Sequence, residues 1–320
     1  SFENSSEEVI DRILEICKYG NNNPNIHLEV FKGSLCDKKF IKDVFYQITK
    51  ENKQINGVIH FAGFKAVAES IIKPLSYWRN NVIGTINLLE IMDEFNCKSL
   101  VFSSSATVYE PKDNLILKES SGLGPINPYG STKYTIEILL KDLFKSSIEE
   151  WKLGCLRYFN PIGAHSSGLL GEDPKDTPNN IFPLINNTAF GIQKNLIIYG
   201  NDWPTPDGTP IRDYIHVMDL AFCHIKVLEF LMGSKSEFLN LNIGTGIGTS
   251  VLDLVKTFER VNNIRVPFVF DKRRVGDASY VVADNSLLIS KMKINHFRCI
   301  EDMCRDGWKW KKKNPIGYKS

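Results

Sequence analysis

The 320 residues are 42% hydrophobic, enough to bury a large core in two domains or one large one. Thirty-nine basic against 37 acidic residues leave a net charge of +2 at pH 7, so bulk electrostatics points to neither nucleic acid nor a membrane as partner. No apolar run reaches the ~18 residues of a membrane span, the start Ser1-Phe2-Glu3-Asn4-Ser5-Ser6-Glu7-Glu8 is unlike a signal peptide, and seven scattered cysteines without metal-ligand spacing read as reduced thiols of a cytoplasmic protein that holds no metal.

In chain order, Glu7 to Lys18 places Val9, Ile10, Ile13, Leu14 and Cys17 at helical spacing, and the Gly20 to Pro24 segment ends that helix. His27 to Phe31 alternates like a strand, and Phe40 to Lys50 follows as a helix. Gly57 to Gly63 is a short apolar strand running into a turn of small residues, the kind of strand end where α/β proteins hold ligands. Pro74 to Phe95 reads as one long helix with a broad apolar surface, and Ser99 to Ser103 as a strand covered on both faces. A helix opens near Tyr129, and Lys152 to Phe159 is the next strand. This alternation predicts a doubly wound parallel sheet.

After Pro161 the chain becomes rich in Gly, Pro, Asn and Ser up to Asn180. Leu196 to Tyr199 reads as a strand, Gly200 to Asp213 as a polar loop, Tyr214 to Val217 as a strand, Met218 to Leu231 as a helix and Leu239 to Ile243 as a strand. The cluster Gly244-Thr245-Gly246-Ile247-Gly248 is G-x-G-x-G, without the spacing or the downstream acidic residue of a dinucleotide fingerprint. It reads as a tight turn before a helix that Ser250 and Asp253 cap, from Val251 to Arg260. The six histidines are dispersed; His216 and His224, the closest pair, read as packed or surface residues.

One pair of stretches carries chemistry. Ser103-Ser104-Ser105 ends an apolar strand, and Tyr129 and Lys133, four residues apart, share one face of the helix that Pro128 begins. An ammonium beside a phenol favours the phenolate. Lowering the phenol's pKa by ~3 units takes roughly 4 kcal/mol, within reach of one lysine and a cationic cofactor, and would make Tyr129 a base near neutrality. A hydroxyl of the serine run would orient a substrate alcohol.

The strings His60-Phe61-Ala62-Gly63-Phe64-Lys65, Asn80-Asn81-Val82-Ile83-Gly84-Thr85, Phe102 to Tyr109, Pro128 to Lys133, Arg157-Tyr158-Phe159-Asn160-Pro161, Gly171-Glu172-Asp173-Pro174, Pro178-Asn179-Asn180, Arg212 to Asp219 and Arg274-Val275-Gly276-Asp277 closely resemble the UDP-glucose 4-epimerase family of extended short-chain dehydrogenases/reductases. The resemblance spans nearly the whole chain. It implies an isomerase with a Rossmann-type doubly wound parallel sheet and a smaller mixed α/β substrate domain: an NAD-binding part over 1–161, to which 212–245 partly return, and a UDP-sugar-binding part over 162–211 and 246–320. Implied activity is the interconversion of UDP-galactose and UDP-glucose by transient oxidation at C4.

By the same resemblance Tyr129, Lys133 and Ser105 are catalytic. Asn4, Ser5, Ser34, Leu35, Phe61, Ala62, Gly63, Lys65, Asn80, Ser103, Tyr129, Lys133 and Tyr158 contact NAD. Lys65, Ser105, Tyr129, Asn160, Asn180, Tyr199, Arg212, Arg274, Asp277 and Val281 contact the UDP-sugar. Two arginines suit a diphosphate because each offers a planar, permanently charged fork.

Departures are equally informative. The family's opening β-α-β unit with its G-x-x-G-x-x-G turn is implied to lie upstream of Ser1, so these residues by themselves would hold NAD weakly. Ser34 stands where an aspartate is usual, and Glu110 where a glycine is. Val281, at the position facing the sugar's 2-substituent, leaves room for an N-acetyl group and implies UDP-GlcNAc/UDP-GalNAc interconversion as well. A nucleotide-sugar dehydratase or decarboxylase would share the Tyr and the Lys, but dehydratases place an Asp-Glu pair where Ala106-Thr107 stands here. An inactive binding paralogue is the other alternative. The broad apolar helix faces imply a homodimer.

Overall fold

The structure, a computed structural model, describes residues 1–20, 28–51, 53–111, 116–147, 150–175, 178, 180–274 and 276–319. The expected helix end over 20–24, the strand start at His27, and Asn179 and Val275 of the quoted strings lie wholly or partly outside the described residues. In order, the elements are α1 (Glu8–Gly20), α2 (Lys38–Lys50), β1 (Val58–His60), α3 (Val67–Ile72), α4 (Pro74–Tyr77), α5 (Gly84–Glu94), β2 (Ser99–Ser105), β3 (Ile116–Leu117), α6 (Pro128–Ser146), β4 (Lys152–Tyr158), β5 (Asn160–Ile162), α7 (Ile181–Ala189), β6 (Leu196–Tyr199), β7 (Ile211–His216), α8 (Val217–Gly233), β8 (Glu237–Ile243), β9 (Gly248–Ser250), α9 (Val251–Asn262), β10 (Phe268–Asp271), β11 (Tyr280–Ala283), α10 (Ser286–Met292) and α11 (Ile300–Lys313).

A parallel sheet of order β1-β2-β4-β8 forms the centre. Its strands read as apolar runs because both faces are covered. Leu100 and Phe102 of β2 point toward α2, α5 and α6, where Phe45, Leu89, Met92, Ile136 and Leu140 are buried. Val101, one residue out of phase, points to α8 beside Cys223, Val227 and Leu231. Fully burying each such side chain contributes about 1.5–3 kcal/mol. The expected α/β architecture is therefore present, and a mixed sheet of shorter strands accompanies it, in which β3-β11-β7-β5 run parallel and β9 pairs antiparallel with β7; β6 and β10 form a separate parallel pair. A third core of Phe182, Ile185, Ile198, Leu254, Phe258 and Trp308 packs beneath these strands.

Three expectations need correction. Residues 28–31 alternate but form no strand, since a strand needs a neighbouring edge for its ladder bonds, and no neighbouring strand pairs with them among the described residues. Strand β7 begins at Ile211 rather than Tyr214, because long-range pairing with β9 and β11 recruits residues that composition assigns to a loop. The long helix over Pro74–Phe95 is interrupted by a π-helical turn, Trp78–Ile83, which carries both Asn80 and Asn81.

Candidate active site

All four central strands end at one edge of the sheet. The register pairs His60 with Phe102, Ser105 with Tyr158 and Tyr158 with Ile243, so Phe61, the serine run and Tyr158 come together there. Helix α6 starts against this edge. Asn127 caps it by accepting from Gly130 N at 2.9 Å, and Pro128 takes the first helical position. A Cβ on Gly130 would lie 2.6 Å from Thr107 O, so only glycine lets the helix seat so closely on the turn after β2. That seating sets Tyr129 beside Ser105, whose hydroxyl favours the charged form of the phenol. Ser105 also accepts from Thr107 N and Oγ1.

Lys133 is buried, its ammonium donating to Ser103 O at 2.7 Å and lying 4.8 Å from the Phe102 ring. That bond occupies one of three ammonium donors. Desolvation draws Lys133 down to about 8. Desolvation also raises the Tyr129 phenol, with the Ser105 hydroxyl pulling it partway back. This corrects the expected direction: in the chain alone Lys133 does not hold the phenol low. Its Nζ sits 5.9 Å from the Tyr129 ring and turns its donor to Ser103, so burial wins over the neighbouring charge.

The π-helical turn explains a residue that sequence reasoning passed over. Asn81 is buried; its amide oxygen accepts from Phe64 N at 2.8 Å and from Asn80 Nδ2, and its amide nitrogen donates to Phe64 O and Thr132 Oγ1. It clamps the loop after β1 to α6. The Asn80-Asn81 doublet was the available signal, but only the widened turn shows which of the two faces inward. Gly63 lies in this loop, where a Cβ would approach Asn81 Oδ1 at 3.3 Å and Lys133 Nζ at 3.6 Å, so the backbone passes close to both.

Of the residues expected to contact a UDP-sugar, all but Lys65 and Tyr129 line two adjoining cavities. One, of about 230 Å³, is lined by Ser105, Tyr158, Asn160, Arg212, Asp277 and Val281 among others. The second, of about 200 Å³, includes Asn160, Asn180, Tyr199, Arg212, Arg274 and Asp277. Asn160, Arg212 and Asp277 are common to both, so the two spaces meet at them. The Arg212 guanidinium pairs with Asp277, and that of Arg274 lies 4.0 Å from the Tyr199 ring. Glu172 accepts from Asn180 at 3.0 Å and from Lys65 at 3.3 Å, linking the two groups of expected contacts.

The remaining expected positions are dispersed. Ser5 and Ser34 line a separate open cavity of about 730 Å³ near the start of α1. Asn4 is occupied by Lys175 N, and Leu35 packs on the α2/α5 core. The glycine turn at Gly244–Gly246 does not face the site: Thr245 N and Oγ1 and Gly246 N donate to the buried Asp213 carboxylate, which also accepts from Ala283 N. The turn encloses an internal anion, in keeping with its reading as a structural element. Ser250 caps α9 by accepting from Asp253 N.

Among the described residues no cluster of side chains could hold a metal, and no helix is long and apolar enough to cross a membrane. Comparison with known proteins places these features. The model of the NAD dependent epimerase/dehydratase family matches residues 9–244. The UDP-glucose 4-epimerase of Bacillus subtilis (strain 168) is 44% identical over 317 residues, covering 99% of this chain and 89% of that protein. One from Cyamopsis tetragonoloba is 44% identical over 319 residues, covering 99% and 88%. The crystal structure of the Stenotrophomonas maltophila UDP-glucose-4-epimerase with NAD and formylated UDP-arabinopyranose superposes with a TM-score of 0.91 at 38% identity, covering 98% of this chain and 90% of that one. The Bifidobacterium longum enzyme in complex with NAD+ and UDP gives 0.89 at 38%, covering 99% and 90%. This chain therefore belongs to the NAD dependent epimerase/dehydratase family and, within it, to the UDP-glucose 4-epimerases.

Proposed function

We propose that the chain interconverts UDP-galactose and UDP-glucose through transient oxidation at C4, with NAD as its cofactor. The observation that carries this reading is the Ser105–Tyr129–Lys133 group at the sheet edge, next to a cavity that continues to Arg212 and on to Arg274. The residues fit the nicotinamide end of a dinucleotide. A buried ammonium keeps two donors beyond its bond to Ser103, close beside the Gly63 backbone. Phe61, Ala62, Gly63, Lys65, Asn80, Ser103 and Tyr158 would hold that end, and Asn4, Ser5, Ser34 and Leu35 the adenosine end.

The chemistry NAD supplies when bound is reversible acceptance of a hydride from sugar C4. Ser105 holds the 4-hydroxyl by a hydrogen bond, and Tyr129, acting as phenolate, takes its proton. Lys133 supplies the positive charge that a buried phenolate needs. The proton returns along the same path when the ketone is reduced on its other face. Arg212 and Arg274 bind the diphosphate; Asn160, Asn180, Tyr199 and Asp277 complete the UDP-sugar contacts. In this reading residues 1–161 and 212–245 form the cofactor part, and 162–211 with 246–320 the sugar-nucleotide part.

We further infer a cytoplasmic homodimer. Ile71, Ile72, Leu75, Ile83 and Ile138, on α3, α4, the π-helical turn and α6, are exposed on neighbouring elements, and an apolar surface of this kind favours a helix-bundle interface. Light scattering of the active protein would overturn this by reporting a monomer. The catalytic reading is tested by assaying conversion of UDP-galactose to UDP-glucose. Tyr129→Phe should lose about 10²–10⁴ of kcat. Retained activity in that variant would overturn the assignment.

A further inference from the structure

The geometry points to His224, on α8 and outside every group of site residues above, as a positioning residue that braces Tyr158 and Phe61 at the ends of two different strands. The inference rests on Tyr158 and Phe61 being cofactor contacts. His224 is buried at 1% exposure. Its Nδ1 lies 2.8 Å from Leu220 O one turn back in the helix, a carbonyl that can only accept. Nδ1 therefore carries the proton, and Nε2 is left as an acceptor. The Tyr158 hydroxyl lies on that nitrogen and must donate to it. That bond commits the Tyr158 proton to the imidazole. A directed chain thus runs from Tyr158 through His224 to the α8 backbone.

The same imidazole also carries Phe61. The two rings lie 4.7 Å apart, whereas the Tyr158 ring meets the imidazole edge-on at 5.3 Å. Phe61 is 56% exposed, and the His224 ring is the aromatic ring set against it among the described residues. Burial draws His224 down to about 4, which keeps it neutral and the acceptor available at neutral pH.

The consequence is specific. Loss of the imidazole frees the Tyr158 hydroxyl from its fixed donor direction and at the same time unseats Phe61. Simple space-filling by His224 would couple none of these.

Two measurements on the full chain test this. Two-bond ¹H–¹⁵N correlations of histidine-labelled protein at pH 7 should show His224 as the Nδ1–H tautomer; an Nε2–H tautomer or an imidazolium overturns the proposal whether or not NAD binds. NAD+ titration of the wild type, Tyr158→Phe, His224→Leu and the double variant should then show each single change weakening affinity about five- to tenfold, with the double variant little worse than either. His224→Gln, which keeps an acceptor, should recover part of the loss. Additive effects of Tyr158→Phe and His224→Leu would show independent roles and overturn the brace. Absence of NAD+ binding by the wild type, with the tautomer as expected, would count against the cofactor reading and not against the hydrogen-bond chain.

Discussion

Ser104 donates its hydroxyl to Glu137 Oε1 at 2.5 Å, on the opposite face of β2 from the Ser103 and Ser105 side chains. Glu137 is held in turn by Arg157, whose Nε and Nη2 lie 2.9 and 2.6 Å from its two oxygens, and both residues are buried. Arg157 also donates to Tyr109 Oη and Glu119 O at 3.0 Å. The middle serine of the run thus anchors the strand that displays the other two. Glu137→Ala, by leaving the Arg157 charge buried without its partner, should cost roughly 3–5 kcal/mol in urea unfolding. Ser104→Ala should cost about 1 kcal/mol, because Arg157 still satisfies the carboxylate.

Stability should fall steeply in mild acid. His60 and His224 are buried, and desolvation draws them to about 3 and about 4 respectively. Above pH 6.5 both are neutral in the folded and unfolded states and contribute no pH dependence. As pH falls below 6.5 the unfolded chain takes up protons that the folded chain refuses, so stability is lost until the folded pKa is reached. The loss is on the order of 3–5 kcal/mol for each residue if the full window is crossed. Urea midpoints at pH 7 and pH 4.5 should differ less in His60→Gln and His224→Gln than in the wild type; equal pH dependence would remove both histidines from the account.

Much of this was legible in the sequence because its signals are local. The apolar run ending in Ser105, the four-residue spacing of Tyr129 and Lys133, and the Ser250–Asp253 cap are each a short-range pattern, and each element stands where that pattern puts it. The rest depends on partners distant in sequence. The alternation over 28–31 carries no information about whether a neighbouring edge exists, and Ile211 joins β7 only because Ser250 and Tyr280 lie beside it. A π-helical turn has no hydropathy period of its own, so Asn81 was not separable from Asn80. Spacing shows a charge beside Tyr129 but not the desolvation that outweighs it, so the sign of its shift is not readable from the sequence.

Lys133 should impose an alkaline limit on activity. Its folded pKa of about 8 is depressed from 10.5 by burial, so the ammonium that the phenolate requires is lost as pH rises through about 8. The ratio kcat/KM, which reports groups of the form that meets substrate, should decline above that pH. Burying the charge also costs stability, a cost that is constant below about 8 and disappears between about 8 and 10.5 as the folded chain releases its proton first. The thermal-stability difference between Lys133→Met and the wild type should therefore narrow from pH 7 to pH 10. A constant difference would contradict a depressed lysine.

Val281 should set tolerance for the sugar's 2-substituent. It lies in β11 in register with Arg212 of β7, so its position relative to that guanidinium is fixed by the sheet. Its side chain lines the cavity of about 230 Å³ that also holds Ser105 and Tyr158. A small aliphatic group there leaves the volume that an acetamido group needs, and the wild type should turn over UDP-GlcNAc as well as UDP-glucose. Val281→Tyr would place a ring in that volume, and overpacking rejects a ligand more strongly than a missing contact weakens one. Turnover of UDP-GlcNAc should fall by about 100-fold or more while that of UDP-galactose changes by only a few-fold, because a 2-hydroxyl occupies none of the contested space. Parallel loss on both substrates would mean that the tyrosine had displaced β11 rather than filled the pocket, and no wild-type turnover of UDP-GlcNAc would remove Val281 as the gate.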